Sequence, residues 1–251
     1  MKLQIASDLH LEFLQREFPG ERLISPAYGA DLLVLAGDIA NGTDAIRLFN
    51  DWPVPVLYLA GNHEFYGLEF EETRVAMRNA ARGTRVTLLD NDVADFGGVR
   101  FLGATLWTDY QLARDRPQQH LMEHAEQRIA DHFRIRTGDG VFTAQRALAE
   151  HEISREWLAQ QLATPYDGKT VVITHHGPHP LSVHPRYVGE RPERQRKLQF
   201  KVQTLWKLEM LLDRNTVLVH LPLGQGNCRR EAGTPARPHL QPLRTEYGQA
   251  T

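Results

Sequence analysis

Three short polar clusters near the start of the chain contain the residue types that bind metal ions. Asp8 and His10 form the first cluster, Asp38 lies in the second, and Asn62 and His63 form the third. Because one residue separates Asp8 from His10, their side chains point to the same side of an extended chain. A carboxylate such as that of Asp38 has two oxygens and can bridge two cations. Mixed imidazole, carboxylate and amide ligands are typical of Mn, Fe, Zn or Co sites rather than calcium sites.

The chemistry that such a site supports is the hydrolysis of a phosphate ester. Two cations bridged by a carboxylate lower the pKa of a bound water and hold the phosphoryl oxygens, and the water attacks in line with the leaving group. A nearby histidine can protonate the leaving alkoxide. The clusters therefore predict a hydrolase with two divalent metal ions.

Each polar cluster directly follows a short apolar run. The runs cover 3–6, 31–36 and 54–60, and turn-forming residues follow each of them. Short apolar runs bounded by turn residues predict buried strands of a sheet. Because ligands bind outside the carboxyl ends of strands in open α/β sheets, we expect the three clusters to converge.

The rest of the pattern predicts an α/β fold that continues to residue 220. Further strands are predicted at 86–89, 99–102, 170–174 and 217–220, with a turn region at 91–98. Helices are predicted at 44–50, 68–82, over most of 110–163 and at 205–212. We expect Gly138-Asp139-Gly140 to separate two helices within the third of these regions.

Composition favours one domain that works in the cytoplasm. A chain of 251 residues that is 41% hydrophobic can form one large α/β core. Its formal net charge of −2 argues against a nucleic-acid partner. No apolar run reaches the roughly 20 residues of a membrane helix, and the first residues read as a strand rather than a signal peptide. Cys228 is the only cysteine, so no disulfide framework is expected.

These motifs, in this order, resemble the calcineurin-like metallophosphoesterase family. The resemblance rests on DLH at 8–10, GD at 37–38, GNHE at 61–64 and VVITHHGP at 171–178. The stretch at 102–108 is also similar to small bacterial members. The resemblance covers most of 1–220 and implies a four-layer α/β/β/α sandwich. It also implies that the substrate is a phosphomonoester or a phosphodiester.

The resemblance implies a role for each residue of the motifs. Asp8 and His10 would hold the first metal, Asp38 would bridge both metals, Asn62 would bind the second, and His63 would be the general acid. Glu64 is interpreted as a supporting or capping residue rather than a ligand.

The family's next metal ligand is a histidine at the end of a later strand, often just ahead of a proline. That spacing favours His176, which stands two positions before Pro178. His175 is the competing choice and ranks second.

The chain departs from the family after residue 220. Relatives carry a Gly-His-x-His motif there, whose histidines complete both metal shells, whereas this chain has Leu221-Pro222-Leu223-Gly224. We therefore predict a domain over 1–220 and an irregular or disordered tail over 221–251. A frameshift soon after His220 would explain the change, and the absence of Gly-His-x-His from every nearby reading frame of the gene would refute that hypothesis.

Two functions of different classes follow from this pattern. The first is a metallophosphoesterase that acts on a small phosphorylated substrate, with neither membrane nor nucleic acid as a partner. The second is a catalytically impaired relative that binds metal or phosphate but lost turnover with its last motif. The substrate, the native metals and the oligomeric state are not specified by the sequence.

Overall fold

The first of two central sheets is formed entirely by parallel strands. A computed structural model describes residues 1–18, 23–111 and 116–178, and the backbone of 216–219. The sheet has the order β1-β2-β3-β4. Its strands are β1 (Leu3–Ala6), β2 (Leu32–Ala36), β3 (Val56–Leu59) and β4 (Val86–Leu88). Their shared direction brings the polar clusters that follow β1, β2 and β3 to one edge, as predicted.

The second sheet is mixed, and a separate short hairpin follows it in the sequence. The remaining strands are β5 (Asp92–Phe96), β6 (Val99–Ala104), β7 (Arg136–Thr137), β8 (Gly140–Val141), β9 (Lys169–Thr174) and β10 (Thr216–Val219). The sheet has the order β10-β9-β6-β5, in which β5 alone runs antiparallel to its neighbour. Strands β7 and β8 form the hairpin. Because β9 is parallel to β6, the loop after β9 emerges at the end of the sheet where β6 also ends.

The helices are held by local caps and by apolar faces. They are α1 (Leu11–Glu17), α2 (Asp44–Phe49), α3 (Phe70–Ala81), α4 (Gln118–Glu126), α5 (Asp131–Arg134) and α6 (Ala144–Ala163). The Thr143 hydroxyl accepts a hydrogen bond from the Arg146 backbone N–H and starts α6. The Glu69 carboxylate starts α3 in the same way, by accepting from the backbone N–H of Glu72.

Three apolar clusters show that the molecule has four layers. Alternate residues of β2 point to opposite faces, so Leu32 and Val34 pack between the sheets while Leu33 and Leu35 face helices. The inter-sheet cluster also contains Phe101 of β6. On the outer face of the second sheet, residues of β6 and β9 pack against α6. The expected α/β/β/α sandwich is confirmed.

Two regions differ from the sequence prediction. Residues 91–98 were expected to form a turn, but Asp92–Phe96 is the edge strand β5, and the turn lies at Gly97 and Gly98. Its mostly exposed residues hide the apolar pattern by which a buried strand is recognised. Gly138-Asp139-Gly140 does lie between two helices, but within the β7–β8 hairpin. The expected helix at 205–212 and the tail at 221–251 lie outside the described residues.

Among the residues that the structure describes, no helix is both long enough and apolar enough to cross a membrane.

Replacing Phe101 tests the packing between the sheets. Phe101 is fully buried in the inter-sheet cluster. Phe101→Ala is expected to lower the free energy of unfolding by about 3–5 kcal/mol, because it leaves a cavity that the sheets cannot close. Urea denaturation would measure the change. Val93→Ala on β5, where the side chain is 45% exposed, is the control and should cost less than about 1 kcal/mol. Equal losses would contradict this account of the core.

Candidate active site

Backbone hydrogen bonds continue from β1 and β2 into the loops that carry the first two clusters. The N–H of Asp8 donates to the Gly37 carbonyl at 3.0 Å, and the N–H of His10 donates to the Asp38 carbonyl at 3.1 Å. A third bond joins Leu11 to the next residue of the second loop. These backbone bonds fix the two loops relative to each other without the help of a ligand.

Three of the predicted site residues have left-handed backbone conformations. The φ angles are +53° for Asp8, +45° for His10 and +54° for Asp38. Residues other than glycine rarely adopt this region, and each such residue costs on the order of 1–3 kcal/mol. The flanking strands and the loop hydrogen bonds impose these angles, which turn the three side chains toward one space.

The glycines before the second and third clusters are required by close contacts. A Cβ on Gly37 would lie 2.6 Å from Cγ of His175 and 2.8 Å from the backbone N of Gly61. A Cβ on Gly61 would lie 2.7 Å from Nε2 of His175 and would also collide with the Asp38 carboxylate. Only glycine at both positions lets His175 approach the two loops.

The two oxygens of Asp38 face histidines from different parts of the chain. Oδ1 lies 3.3 Å from Nε2 of His175, and Oδ2 lies 3.9 Å from Nε2 of His10. Oδ1 also accepts a hydrogen bond from the backbone N–H of His63 at 2.9 Å. Asp38 is buried. Its carboxylate thus lies between two imidazoles, which is the arrangement that a bridging metal ligand requires.

His63 lies close to the same carboxylate. Ligand atoms of His10, Asp38 and His63 all fall within 4.8 Å of one another, so this group can hold a metal ion. The His10 and His63 rings are 4.3 Å apart between centroids. The structure therefore brings the first, second and third clusters together, as the sequence predicts.

Asp8 contributes charge to this group. Its carboxylate accepts a hydrogen bond from the Ser7 hydroxyl. Burial lowers the pKa of His10, but the nearby Glu12 carboxylate and the charges of Asp38 and Asp8 outweigh it, so the pKa is raised overall. The site is thus strongly anionic around His10, which favours a bound cation.

Glu12 is a site residue that the sequence analysis missed. Its Oε1 lies 3.6 Å from Nδ1 of His10 and 3.8 Å from Nδ1 of His63. Burial opposes its ionisation, but the nearby imidazoles of the two histidines lower the pKa of Glu12 to about 2. The sequence feature that could have identified Glu12 is its position two residues after His10, in the first turn of α1.

Glu64 joins the second and third loops from inside the protein. The side chain is 0% exposed. Its Oε2 accepts from the backbone N–H groups of Asp38 and Gly61, and its Oε1 accepts from the N–H of Ile39 and the hydroxyl of Tyr58, at 2.8–3.0 Å. Burial and then the Asp38 charge raise the pKa of Glu64, and the bonds from Ile39 and Tyr58 oppose that shift. Glu64 therefore positions the loops.

His175 and His176 point into different surroundings. Nδ1 of His175 donates to the Ala36 carbonyl at 2.9 Å, because a carbonyl can only accept. This tautomer leaves the lone pair on Nε2, which lies 3.3 Å from Oδ1 of Asn62. The His176 ring instead bonds to the Thr105 carbonyl through Nδ1 at 3.1 Å and packs near Trp107. Of the two adjacent histidines, His175 thus has its Nε2 within 3.3 Å of both Asn62 and Asp38.

A family model for calcineurin-like phosphoesterase matches residues 1–205. The chain belongs to the calcineurin-like phosphoesterase family. The match covers all of the clusters described above and ends before the altered tail.

A solved structure has a similar fold. The phosphopantetheinyl hydrolase from Mycobacterium tuberculosis superposes with a TM-score of 0.60 and 19% sequence identity, over 87% of this chain and 81% of that one. At this identity the likeness shows the fold alone. No curated protein matches the chain.

Replacing Glu64 tests whether it holds the loops. In Glu64→Gln, the amide nitrogen faces hydrogen-bond donors in either orientation, because all four groups around the carboxylate donate. We expect a loss of about 2–3 kcal/mol in the free energy of unfolding of the metal-depleted protein, measured by urea denaturation. Glu123→Gln, on the exposed face of α4, is the control. Similar stability in the two variants would exclude this role for Glu64.

Proposed function

We propose that the chain hydrolyses a phosphate ester with the help of two divalent metal ions. The observation that carries this proposal is the placement of Asp38, whose two oxygens face His175 and His10. Membership of the calcineurin-like phosphoesterase family supports phosphoester hydrolysis in general. A buried carboxylate between two imidazoles is a donor set that suits Mn, Fe, Zn or Co.

The proposed ligands divide into two groups around Asp38. Asp8 and His10 would hold the first ion. Asn62 and His175 would hold the second, with His175 preferred to His176 because its Nε2 faces Asp38 and Asn62. When bound, the ions would lower the pKa of a water molecule and neutralise the phosphoryl oxygens.

His63 is proposed as the general acid. It is partly exposed, whereas Asp38 and Asn62 are buried, so its ring is accessible to a leaving group. Glu12 lies beside Nδ1 of His63 and can orient the ring and stabilise its protonated form. Proton donation from a positioned histidine lets the leaving alkoxide depart as an alcohol.

A small phosphorylated molecule is the proposed substrate class. The structural neighbour is named a phosphopantetheinyl hydrolase, a name that refers to a phosphorylated group. Phe13 lies at the open side of the site, 49% exposed, with its ring centroid 6.1 Å from that of His10. An exposed ring there offers an apolar contact to the organic part of such a substrate.

The alternative proposal is a catalytically impaired relative that binds phosphate, or metal only weakly, without turnover. It is favoured by one observation, the absence of Gly-His-x-His after residue 220. Loss of one histidine from each metal shell would weaken both sites. Metal content separates the alternatives, because an impaired chain would hold less than one Mn²⁺ per molecule after dialysis.

Activity with a model substrate tests the proposal directly. With Mn²⁺ added, the purified chain should cleave p-nitrophenyl phosphate or bis-p-nitrophenyl phosphate, and a chelator should abolish the reaction. His63→Ala should lower kcat by about 10²–10⁴-fold on an alkyl phosphate ester such as glycerol 2-phosphate, whose leaving alkoxide needs a proton. The loss on p-nitrophenyl phosphate should be much smaller, because p-nitrophenolate departs without a proton. His120→Ala, on the exposed side of α4, should match the wild type. No cleavage, together with little bound metal, would support the impaired alternative.

The choice between the two adjacent histidines has its own test. His175→Ala should weaken Mn²⁺ binding at one site by at least about 10-fold, because it removes a proposed ligand. His176→Ala should leave Mn²⁺ bound per chain unchanged. Calorimetric titration of both metal-depleted variants would measure this. Weaker Mn²⁺ binding in His176→Ala, with unchanged binding in His175→Ala, would favour His176 as the ligand.

A further inference from the structure

The side chain of Asn62 is held by two residues that the sequence motifs do not include. Its Nδ2 donates to Oδ1 of Asp131 at 2.8 Å and to the hydroxyl of Tyr66 at 3.0 Å. The Tyr66 hydroxyl in turn donates to the same Oδ1 of Asp131 at 2.6 Å. These three bonds form a closed triangle in which every donor has an acceptor.

The triangle determines which end of the Asn62 amide faces the site. A carboxylate oxygen that already accepts from Tyr66 cannot donate, so the amide atom that contacts Asp131 must be nitrogen. Both N–H bonds of Asn62 are then used, and Oδ1 is directed away from them, toward Nε2 of His175 at 3.3 Å. The amide oxygen is the atom that binds a cation. Asp131 and Tyr66 thus select the orientation that can act as a ligand.

Burial strengthens the three hydrogen bonds of this triangle. Asn62 is 1% exposed and Asp131 is 8% exposed. If the Asn62 amide were reversed, its oxygen would face the carboxylate oxygen of Asp131 and the Tyr66 hydroxyl. Two buried acceptors would then face each other with no hydrogen between them.

Asp131 reaches the site because its segment is attached to the loop after the third cluster. Asp131 starts α5, which belongs to the segment between β6 and α6. The N–H of Gly67 donates to the Arg134 carbonyl at 2.7 Å, and the N–H of Arg136 donates to the Leu68 carbonyl at 2.9 Å. These two bonds hold the segment between β6 and α6 in a fixed position beside the loop that carries Asn62.

We propose that Asp131, acting with Tyr66, is a positioning residue that orients the Asn62 amide oxygen for one of the two metal ions. The inference rests on the proposed function, because it assigns Asn62 as a ligand. It predicts a defect in metal affinity at one site and no general loss of folding. Outer groups that orient metal ligands commonly contribute 10–100-fold to affinity.

The test is Mn²⁺ titration of the metal-depleted full chain by calorimetry. Asp131→Ala removes the acceptor that holds Nδ2 of Asn62, so the amide oxygen is no longer fixed toward the site, and one site should weaken by about 10–100-fold while the other is unchanged. Tyr66→Phe keeps the ring whose centroid lies 4.1 Å from that of His63 and removes only the hydroxyl. It should weaken the same site by a smaller factor. Asp139→Ala, exposed in the β7–β8 turn, is the matched control and should bind Mn²⁺ like the wild type.

A double-mutant cycle separates orientation of Asn62 from a general structural role. If Asp131 acts through Asn62, then adding Asp131→Ala to Asn62→Ala should produce no further loss of Mn²⁺ affinity. Losses that multiply would overturn the inference. Circular dichroism would check the fold, and if Asp131→Ala does not fold, Tyr66→Phe in the same cycle decides by the same criteria.

The wild-type titration keeps the two proposals distinguishable. A wild type that binds no Mn²⁺ overturns the proposed function and, with it, the role of Asp131. A wild type that binds two Mn²⁺ ions while Asp131→Ala binds equally well overturns the positioning role alone.

Discussion

The buried carboxylate of Glu64 is the interaction on which the site depends. It accepts hydrogen bonds from backbone N–H groups of two different loops and from Tyr58 of the central strand β3. Those loops carry Asp38 and Asn62, so one side chain fixes the distance between two proposed ligands. A fully buried carboxylate is expensive unless it is satisfied, and here four donors satisfy it. The strained left-handed conformation of Asp38 can persist because this support holds it.

Much of the fold was predictable because its signals are local. The apolar runs before residues 8, 38 and 62 predicted the parallel strands, and the structure confirms them. Strand β5 was missed because an edge strand with one exposed face lacks a continuous apolar run. The convergence of the first three clusters followed from the direction of parallel strands alone.

The finer arrangement of the site was not predictable from the same signals. Adjacent residues such as His175 and His176 have the same local pattern, and only the contacts of each ring distinguish them. Asp131 lies 69 residues after Asn62, between β6 and α6, and the residues next to it in the sequence do not mark it as a contact of Asn62. Glu12 stands beside a recognised motif, yet its contact with His63 depends on how α1 packs. Long-range contacts of this kind leave no signal in the local sequence pattern.

The contact between His175 and the carbonyl of Ala36 has a consequence for how the protein folds. It joins residues 139 positions apart and crosses from one sheet to the other. Contacts over such separations form slowly, because a long loop must be closed before the contact can stabilise it. During synthesis the apolar inner face of the first sheet emerges well before β6 and β9 can cover it. A nascent chain would therefore expose a hydrophobic surface for longer than its size suggests and would be a natural client for a chaperone.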